Sequence, residues 1–141
     1  MAIALSSEVA EFIARPLTGV LAWMSTSGEP RSTPLNYVWE DGAIWFTTGG
    51  NSAKVRAFRK QPVVSFSIPS EASSPPPQAV TVRGVAEILD WNPERQLQAF
   101  MRYGTPKSEA EKMRDGYAAA MDLVSIRLEP LKVSTFGFDA P

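Results

Sequence analysis

DGAIWFTTGGNSAKVRAFRKQP, residues 41–62, reads as a strand, a glycine turn and a short helix whose first turn is positively charged. Ala43 to Thr48 alternate as a strand, with Ile44, Phe46 and Thr48 on one face and Trp45 and Thr47 on the other. Gly49-Gly50 breaks that strand, and Asn51 or Ser52 is placed to N-cap the helix that follows. With Asn51 as the cap, Lys54 falls at the third helical position, where Glu or Gln would close a capping box. A lysine there opposes the helix dipole. Lys54, Arg56, Arg59 and Lys60 lie between Gly49 and Pro62 with no acid to offset them. Free N–H groups at a helix start, a flexible turn and a lysine make a candidate phosphate cradle. The same residues also read as a solvated basic helix face after an ordinary glycine turn.

Outward from this stretch, 141 residues of which 44% are hydrophobic predict one globular domain, residues 1–141, with a sizeable core. The net charge of −1 gives no global attraction to nucleic acid or to an anionic membrane, so any positive patch is local. No long apolar run and no signal-peptide pattern are present, which predicts a cytoplasmic protein. The chain has no Cys and no His. That excludes zinc fingers, thiol nucleophiles, Ser-His-Asp triads, disulfides and histidine-ligated metals. Acid–base work would fall to Asp, Glu, Lys or Tyr, and an enzyme of this composition would take its reactivity from a bound cofactor.

Taken in order, residues 6–15 predict a short amphipathic helix with Val9, Phe12 and Ile13 on one face, stopped by Pro16. Residues 21–26 and 31–40 predict two strands, and Asp41-Gly42 a hairpin turn into the third. Pro34 has no N–H to give a ladder and marks an edge or bulge among Ser32, Thr33 and Asn36. Residues 63–68 alternate as a fourth strand, and PSEASSPPPQ, residues 69–78, reads as an extended connection. Residues 79–89 predict the longest strand, with a bulge or bend at Gly84. Two helices follow, about 93–102 and 108–121. The Met113, Tyr117 and Met121 stripe of the second is expected in the core. Strands at 123–129 and 133–138 end the chain.

The sum is mainly β: six or seven antiparallel strands with short flanking helices. So many strands in so short a chain are expected to roll into a small barrel, since closure removes sticky edges. A barrel of this size leaves little room for a large ligand inside, which puts a cofactor on its outer surface and predicts a homodimer that covers it.

LAWMSTSGEPRSTPLNYVWEDGAIWFTTGGNSAKVRAFRKQPVVSFSI, residues 21–68, resembles the pyridoxamine 5′-phosphate oxidase-like flavin-binding family, and the order of elements matches over essentially the whole chain. The resemblance implies a Greek-key-like split β-barrel that binds FMN, or in short members the deazaflavin F420, at the subunit interface of a homodimer. Phe46-Thr47-Thr48 and Ser52-Ala53-Lys54 stand where that family has an aromatic-Thr strand end and a Ser-x-Lys that receives the cofactor phosphate. By that likeness Lys54 pairs with the phosphate, Ser52 donates to it, and Thr47 and Thr48 bond near the ribityl chain or phosphate. Thr33, Pro34 and Asn36 lie along the ring. Ala53 stands where pyridoxamine phosphate oxidases carry arginine, and their Arg- and His-bearing C-terminal segment is missing, which argues against that activity. FMN and F420 are not separated by these residues.

The expected function is therefore a flavin- or F420-dependent oxidoreductase that transfers hydride to or from a small organic substrate. No catalytic side chain is identified, and no metal or nucleic acid is expected. The same residues also fit a non-catalytic flavin- or F420-binding carrier or sensor. A small barrel binding single-stranded nucleic acid is disfavoured by 14 Lys plus Arg against 15 Asp plus Glu.

Overall fold

The computed structural model describes residues 3–138. Its first element, α1 (Ser7–Ile13), is the predicted amphipathic helix. The Ser6 hydroxyl caps it by accepting from the Val9 amide at 3.3 Å, and Val9, Phe12 and Ile13 are buried. β1 (Thr18–Met24) and β2 (Pro30–Asn36) then pair antiparallel.

The single strand predicted over residues 31–40 is divided at Tyr37. Its first part is β2; its second, β3 (Val38–Glu40), pairs instead with β4 (Ala43–Gly49). The cause is the tyrosine itself. Its ring is 1% exposed, its N–H goes to the Tyr103 hydroxyl at 3.2 Å, and its own hydroxyl donates to the Ile13 carbonyl at 2.7 Å. These bonds replace the ladder bonds that a continuous strand would have made. Asp41-Gly42 makes the predicted hairpin turn, both residues at positive φ (53° and 69°), as a type I′ turn requires.

The remaining elements are α2 (Ala53–Lys60), β5 (Val63–Pro69), β6 (Ala79–Asp90), α3 (Pro93–Arg102), α4 (Lys107–Ala120) and β7 (Leu123–Phe136). Seven strands form one sheet in the order β2-β1-β5-β6-β7-β4-β3, with antiparallel pairing throughout. The two edge strands, β2 and β3, are consecutive in the chain. The sheet is thus joined edge to edge through Tyr37 and not by a hydrogen-bonded ladder: a mainly β, split barrel.

The two terminal strands expected at 123–129 and 133–138 are one strand, β7, which pairs with β6 along its length. The only irregularity is the bulge anticipated at Gly84, where Arg83 faces Lys132 and Gly84 faces Pro130, leaving Leu131 as the extra residue. A side chain at Gly84 would run into the Glu129 carbonyl, so the backbone approach there admits only glycine.

Inside the roll, Phe66 is the hub. It meets Tyr37 edge-on at 5.4 Å between ring centroids and lies parallel to Phe46 at 6.4 Å. Leu21, Ile44, Ile68, Val80, Val82, Ile126 and Leu128 close around these rings from five strands, with Phe12, Ile13 and Phe58 supplied by helices. No helix among the described residues is long and apolar enough to cross a membrane.

Candidate functional site

β4 ends at Gly49, and α2 begins four residues later. Ser52 is its N-cap: the hydroxyl accepts from the Val55 amide at 3.3 Å and lies 3.5 Å from the Thr48 hydroxyl. The cap is thus Ser52 and not Asn51, and Lys54 is the second helical residue, not the third. Val55 holds the position where a capping box would carry its acid, so the argument that Lys54 displaces a stabilising Glu does not stand. The anion-binding chemistry remains. The first turn of α2 contains no acidic residue, its leading N–H groups have no intrahelical acceptor, and the Ser52 O–H stays free to donate. Lys54 is half-buried, and no ion pair among the described residues uses it.

A shallow hollow beside this turn is lined by Gly49, Asn51, Ser52 and the C-terminal end of α4 with Asp122. Asp122 and the negative end of α4 oppose an anion from that side. Attraction comes from Ser52 and the first turn of α2.

Gly49 and Met121 also belong to a second, more enclosed cavity of about 550 Å3, walled on one side by Thr47 and Thr48 of β4 and on the other by α3 and α4. Its rim on the β2–β3 side is Leu35, Asn36, Tyr37 and Val38. Trp45, Phe46, Phe100, Tyr103, Met113 and Tyr117 give it an aromatic and thioether wall. Phe100 and Tyr117 stack at 6.1 Å. The buried Ser125, opposite Thr47 in the β4–β7 ladder, accepts from the Asn92 amide at 3.2 Å and so ties the start of α3 to the sheet. Arg95 is the one charged residue in the lining. Its Nε donates to Glu40 at 2.9 Å, and its guanidinium lies 3.6 Å from the Trp45 ring centroid. The Trp45 indole N–H donates to the Glu40 carbonyl at 2.9 Å, so these three side chains pin α3 to the β3–β4 hairpin.

At the other end of α3 a second clamp holds the crossover. The Tyr103 hydroxyl donates to the Leu17 carbonyl at 2.6 Å while receiving the Tyr37 N–H. Arg102 donates to the carbonyls of Ile13 and Arg15 and lies over the Tyr37 ring. Burial pushes the Tyr37 phenol above its ordinary range, the nearby Tyr103 adding to this and Arg102 and Arg15 pulling back.

Of the residues expected to meet a cofactor, Asn36, Thr47 and Thr48 line the cavity, Ser52 lies beside it with its hydroxyl 3.5 Å from that of Thr48, and Lys54 lines neither the cavity nor the hollow. Thr33 and Pro34 are elsewhere. The Thr33 hydroxyl accepts from the Trp23 indole at 3.2 Å, and Pro34 is exposed opposite Val20 on the outer side of the sheet. The Met113, Tyr117 and Met121 stripe is not in the core: these residues are 39%, 46% and 45% exposed, and all three line the cavity. α4 buries only Ala110, and of its apolar stripe Tyr117 stacks on Phe100 of α3 while staying half exposed. Trp45, Arg95, Phe100 and Tyr103 went unassigned in the sequence because they come together across some sixty residues. The one signal available was a methionine–aromatic stripe on a helix too polar elsewhere to be a core helix. Among the described residues no group of acids could hold a metal ion.

The sequence matches the family described as pyridoxamine 5′-phosphate oxidase over residues 5–136. The chain belongs to that family. Among solved structures, a conserved hypothetical protein from Mycobacterium tuberculosis is 26% identical, with a TM-score of 0.79 over 99% of this chain and 92% of that one. An F420 reductase is 24% identical, with a TM-score of 0.70 over 94% of this chain and 98% of that one. HutZ, the heme storage protein from Vibrio cholerae, is 20% identical, with a TM-score of 0.67 over 95% and 94%. The last two likenesses establish the shared fold. No curated protein matches the sequence.

Proposed function

We propose that this member of the pyridoxamine 5′-phosphate oxidase family is an oxidoreductase that uses bound FMN or F420 to pass a hydride to or from a small organic substrate. One observation supports the reading: the start of α2, at Ser52, adjoins through Thr48 and Gly49 a cavity sized for an organic ring. A molecule with a phosphate at one end and a flat ring at the other fits that succession. The family membership and the likeness to an F420 reductase support it.

In this reading Lys54 and Ser52 hold the phosphate, the first by charge and the second by its free O–H. Thr47 and Thr48 bond the polar chain next to it. The aromatic wall excludes water from the ring. The cofactor, when bound, supplies the hydride chemistry, so the cavity requires no acid or base of its own. That suits a lining whose titratable residues are Arg95 and three tyrosines, with no His and no Cys in the chain. Ala53 in place of arginine, and the lack of histidine, argue against oxidation of pyridoxamine phosphate itself.

Pro34 reaches a cofactor only from the outer face of the sheet, so its inclusion depends on a homodimer with the cofactor at its interface, whereas Thr33 lies on the opposite face, opposite Leu21 and bonded to Trp23. A second reading, a carrier or sensor without turnover, draws on the heme storage protein that shares the fold. The test is calorimetric titration of FMN and of F420 into the purified protein and its Lys54→Ala variant, followed by steady-state assays with electron acceptors. The expected result is saturable binding of one cofactor, weakened about tenfold or more in the variant, since a charge-assisted bond contributes roughly 1.5–3 kcal/mol. Binding without turnover selects the carrier. Equal affinity in wild type and variant removes Lys54 from the site.

A further inference from the structure

We propose that α4 is a gate: it opens from the body of the protein as a local unit and closes again on a ligand in the cavity beside it. The contrast between two adjacent helices carries this. α3 is fastened at both ends. The Asn92 amide at its start donates to Ser125 at 3.2 Å, Arg95 bonds Glu40 at 2.9 Å, and Leu97 is buried. At its finish Arg102 holds the carbonyls of Ile13 and Arg15, and Tyr103 holds that of Leu17. α4 has no such anchor. Among the described residues its one side-chain hydrogen bond is internal, Arg114 to Asp115, and the one residue it buries is Ala110. It packs on α3, where Tyr117 stacks on Phe100 at 6.1 Å between ring centroids. An element with so few buried apolar contacts opens well below the free energy of global unfolding.

The ends of α4 suit the movement. Before it, Gly104 sits at φ 95°, a conformation that glycine takes without strain, and Pro106 holds the N-cap position with no side-chain bond to the first turn. After it, Met121 is extended and the Asp122 carbonyl accepts from the Gly50 amide at 2.8 Å. The helix is thus loose at its start and tethered at its finish, beside the start of α2. Within it, Gly116 weakens the helix where packing does not ask for glycine, since it is exposed and a Cβ there would meet no atom within 4 Å. Met113, Tyr117 and Met121 line the cavity and are each more than a third exposed. A ligand in the cavity gives that stripe a partner, so occupation favours the closed helix. That FMN or F420 is the ligand rests on the cofactor reading; the mobility of α4 in the free chain does not.

Hydrogen–deuterium exchange of the full chain, read by peptide mass spectrometry, tests the gate. In the free protein, α4 peptides are expected to exchange about tenfold or more faster than α3 peptides. Gly116→Ala is expected to slow α4 about fivefold and leave α3 unchanged, as removal of one mid-helix glycine should. FMN or F420 at about a hundred times its calorimetric Kd is expected to slow α4 about a hundredfold, because an open form that cannot hold ligand is suppressed in proportion to ligand over Kd. The 69–78 loop, which lines no part of the cavity, is expected to exchange as before. α4 exchanging like α3 in the free protein overturns the gate. So does a cofactor that binds and leaves α4 unprotected, which would keep the cofactor reading and make α4 a frayed surface helix. If neither FMN nor F420 binds, the cofactor reading falls, and the free-chain comparison with Gly116→Ala decides whether α4 opens as a unit.

Discussion

Tyr37 is the residue on which both the sheet and the cavity depend. Its ring packs on Phe66, its N–H holds Tyr103, and its hydroxyl holds the end of α1. Burial raises the phenol above its ordinary value, so the folded protein keeps it neutral where the unfolded chain ionises it. Unfolding therefore releases this proton once the pH exceeds the unfolded value near 10. The contribution is intact below that value and is lost as pH rises, at up to about 1.4 kcal/mol per pH unit. Tyr37→Phe is expected to cost about 1 kcal/mol near neutral pH, for the lost bond to Ile13, and to flatten the decline between about pH 10 and 11. Urea unfolding of both proteins near neutral pH and in that alkaline range measures it. A variant whose stability falls as steeply as wild type would assign the alkaline loss to other groups.

Among the elements, α3 and α4 show where stability and binding separate. α3 commits Leu97 to the interior, and α4 commits Ala110; Ala99, Phe100, Met113 and Tyr117 face the cavity. Leu97→Ala is expected to destabilise by about 2–5 kcal/mol, the usual cost of emptying a buried leucine site. Met113→Ala is expected to stay within about 0.5 kcal/mol of wild type, as exposed positions do. Denaturant midpoints of the two variants decide this, and equal losses would return the stripe to the core. The same elements mark the limit of what periodicity could reveal. The alternation in Val64, Phe66 and Ile68, the Asp41-Gly42 turn and the capped starts of α1 and α3 were legible because each is decided within a few residues. Thr48 and Ser52 come together because a strand end and a helix start adjoin in sequence. The break at Tyr37 was not legible, because the bonds that cause it come from Tyr103 and Ile13. The cavity was missed for the same reason: a stripe of Met113, Tyr117 and Met121 has one spacing whether it faces a core or a ligand.

On the scale of the whole molecule, the outer face of the sheet leaves an unusual surface for a chain acting alone. Cross-strand register aligns Pro34, Val20, Ser67, Thr81 and Ser134 in one row and Ser32, Ala22 and Ser65 in the next. Val63 and Val85 lie opposite each other, both exposed, and Phe136 is 64% exposed opposite Ala79. The first row carries small, uncharged side chains across five strands, and the second runs on from Ser65 into Arg83 and Lys132. Val20, Val63, Val85 and Phe136 are the exposed apolar side chains of this face, the kind of surface that pairs with a partner when it is contiguous. We therefore expect a homodimer through this face, which would also bring Pro34 near the partner and cover the cofactor. Val20→Asp sits within the row, next to Pro34, at an exposed position, so it spares the core while placing a charge in the interface. Sedimentation equilibrium at micromolar concentration is expected to give twice the chain mass for wild type and the chain mass for Val20→Asp, with unchanged circular dichroism. Burying an unpaired carboxylate in each subunit costs several kcal/mol, enough to separate an interface of about 800 Å2 per partner. FMN or F420 affinity should fall with the dimer. If the monomeric variant keeps full affinity, the cofactor is held by one subunit, and Pro34 leaves the site. A monomeric wild-type protein would withdraw the dimer and leave the Ser52–Lys54 cradle to be judged by its own titration.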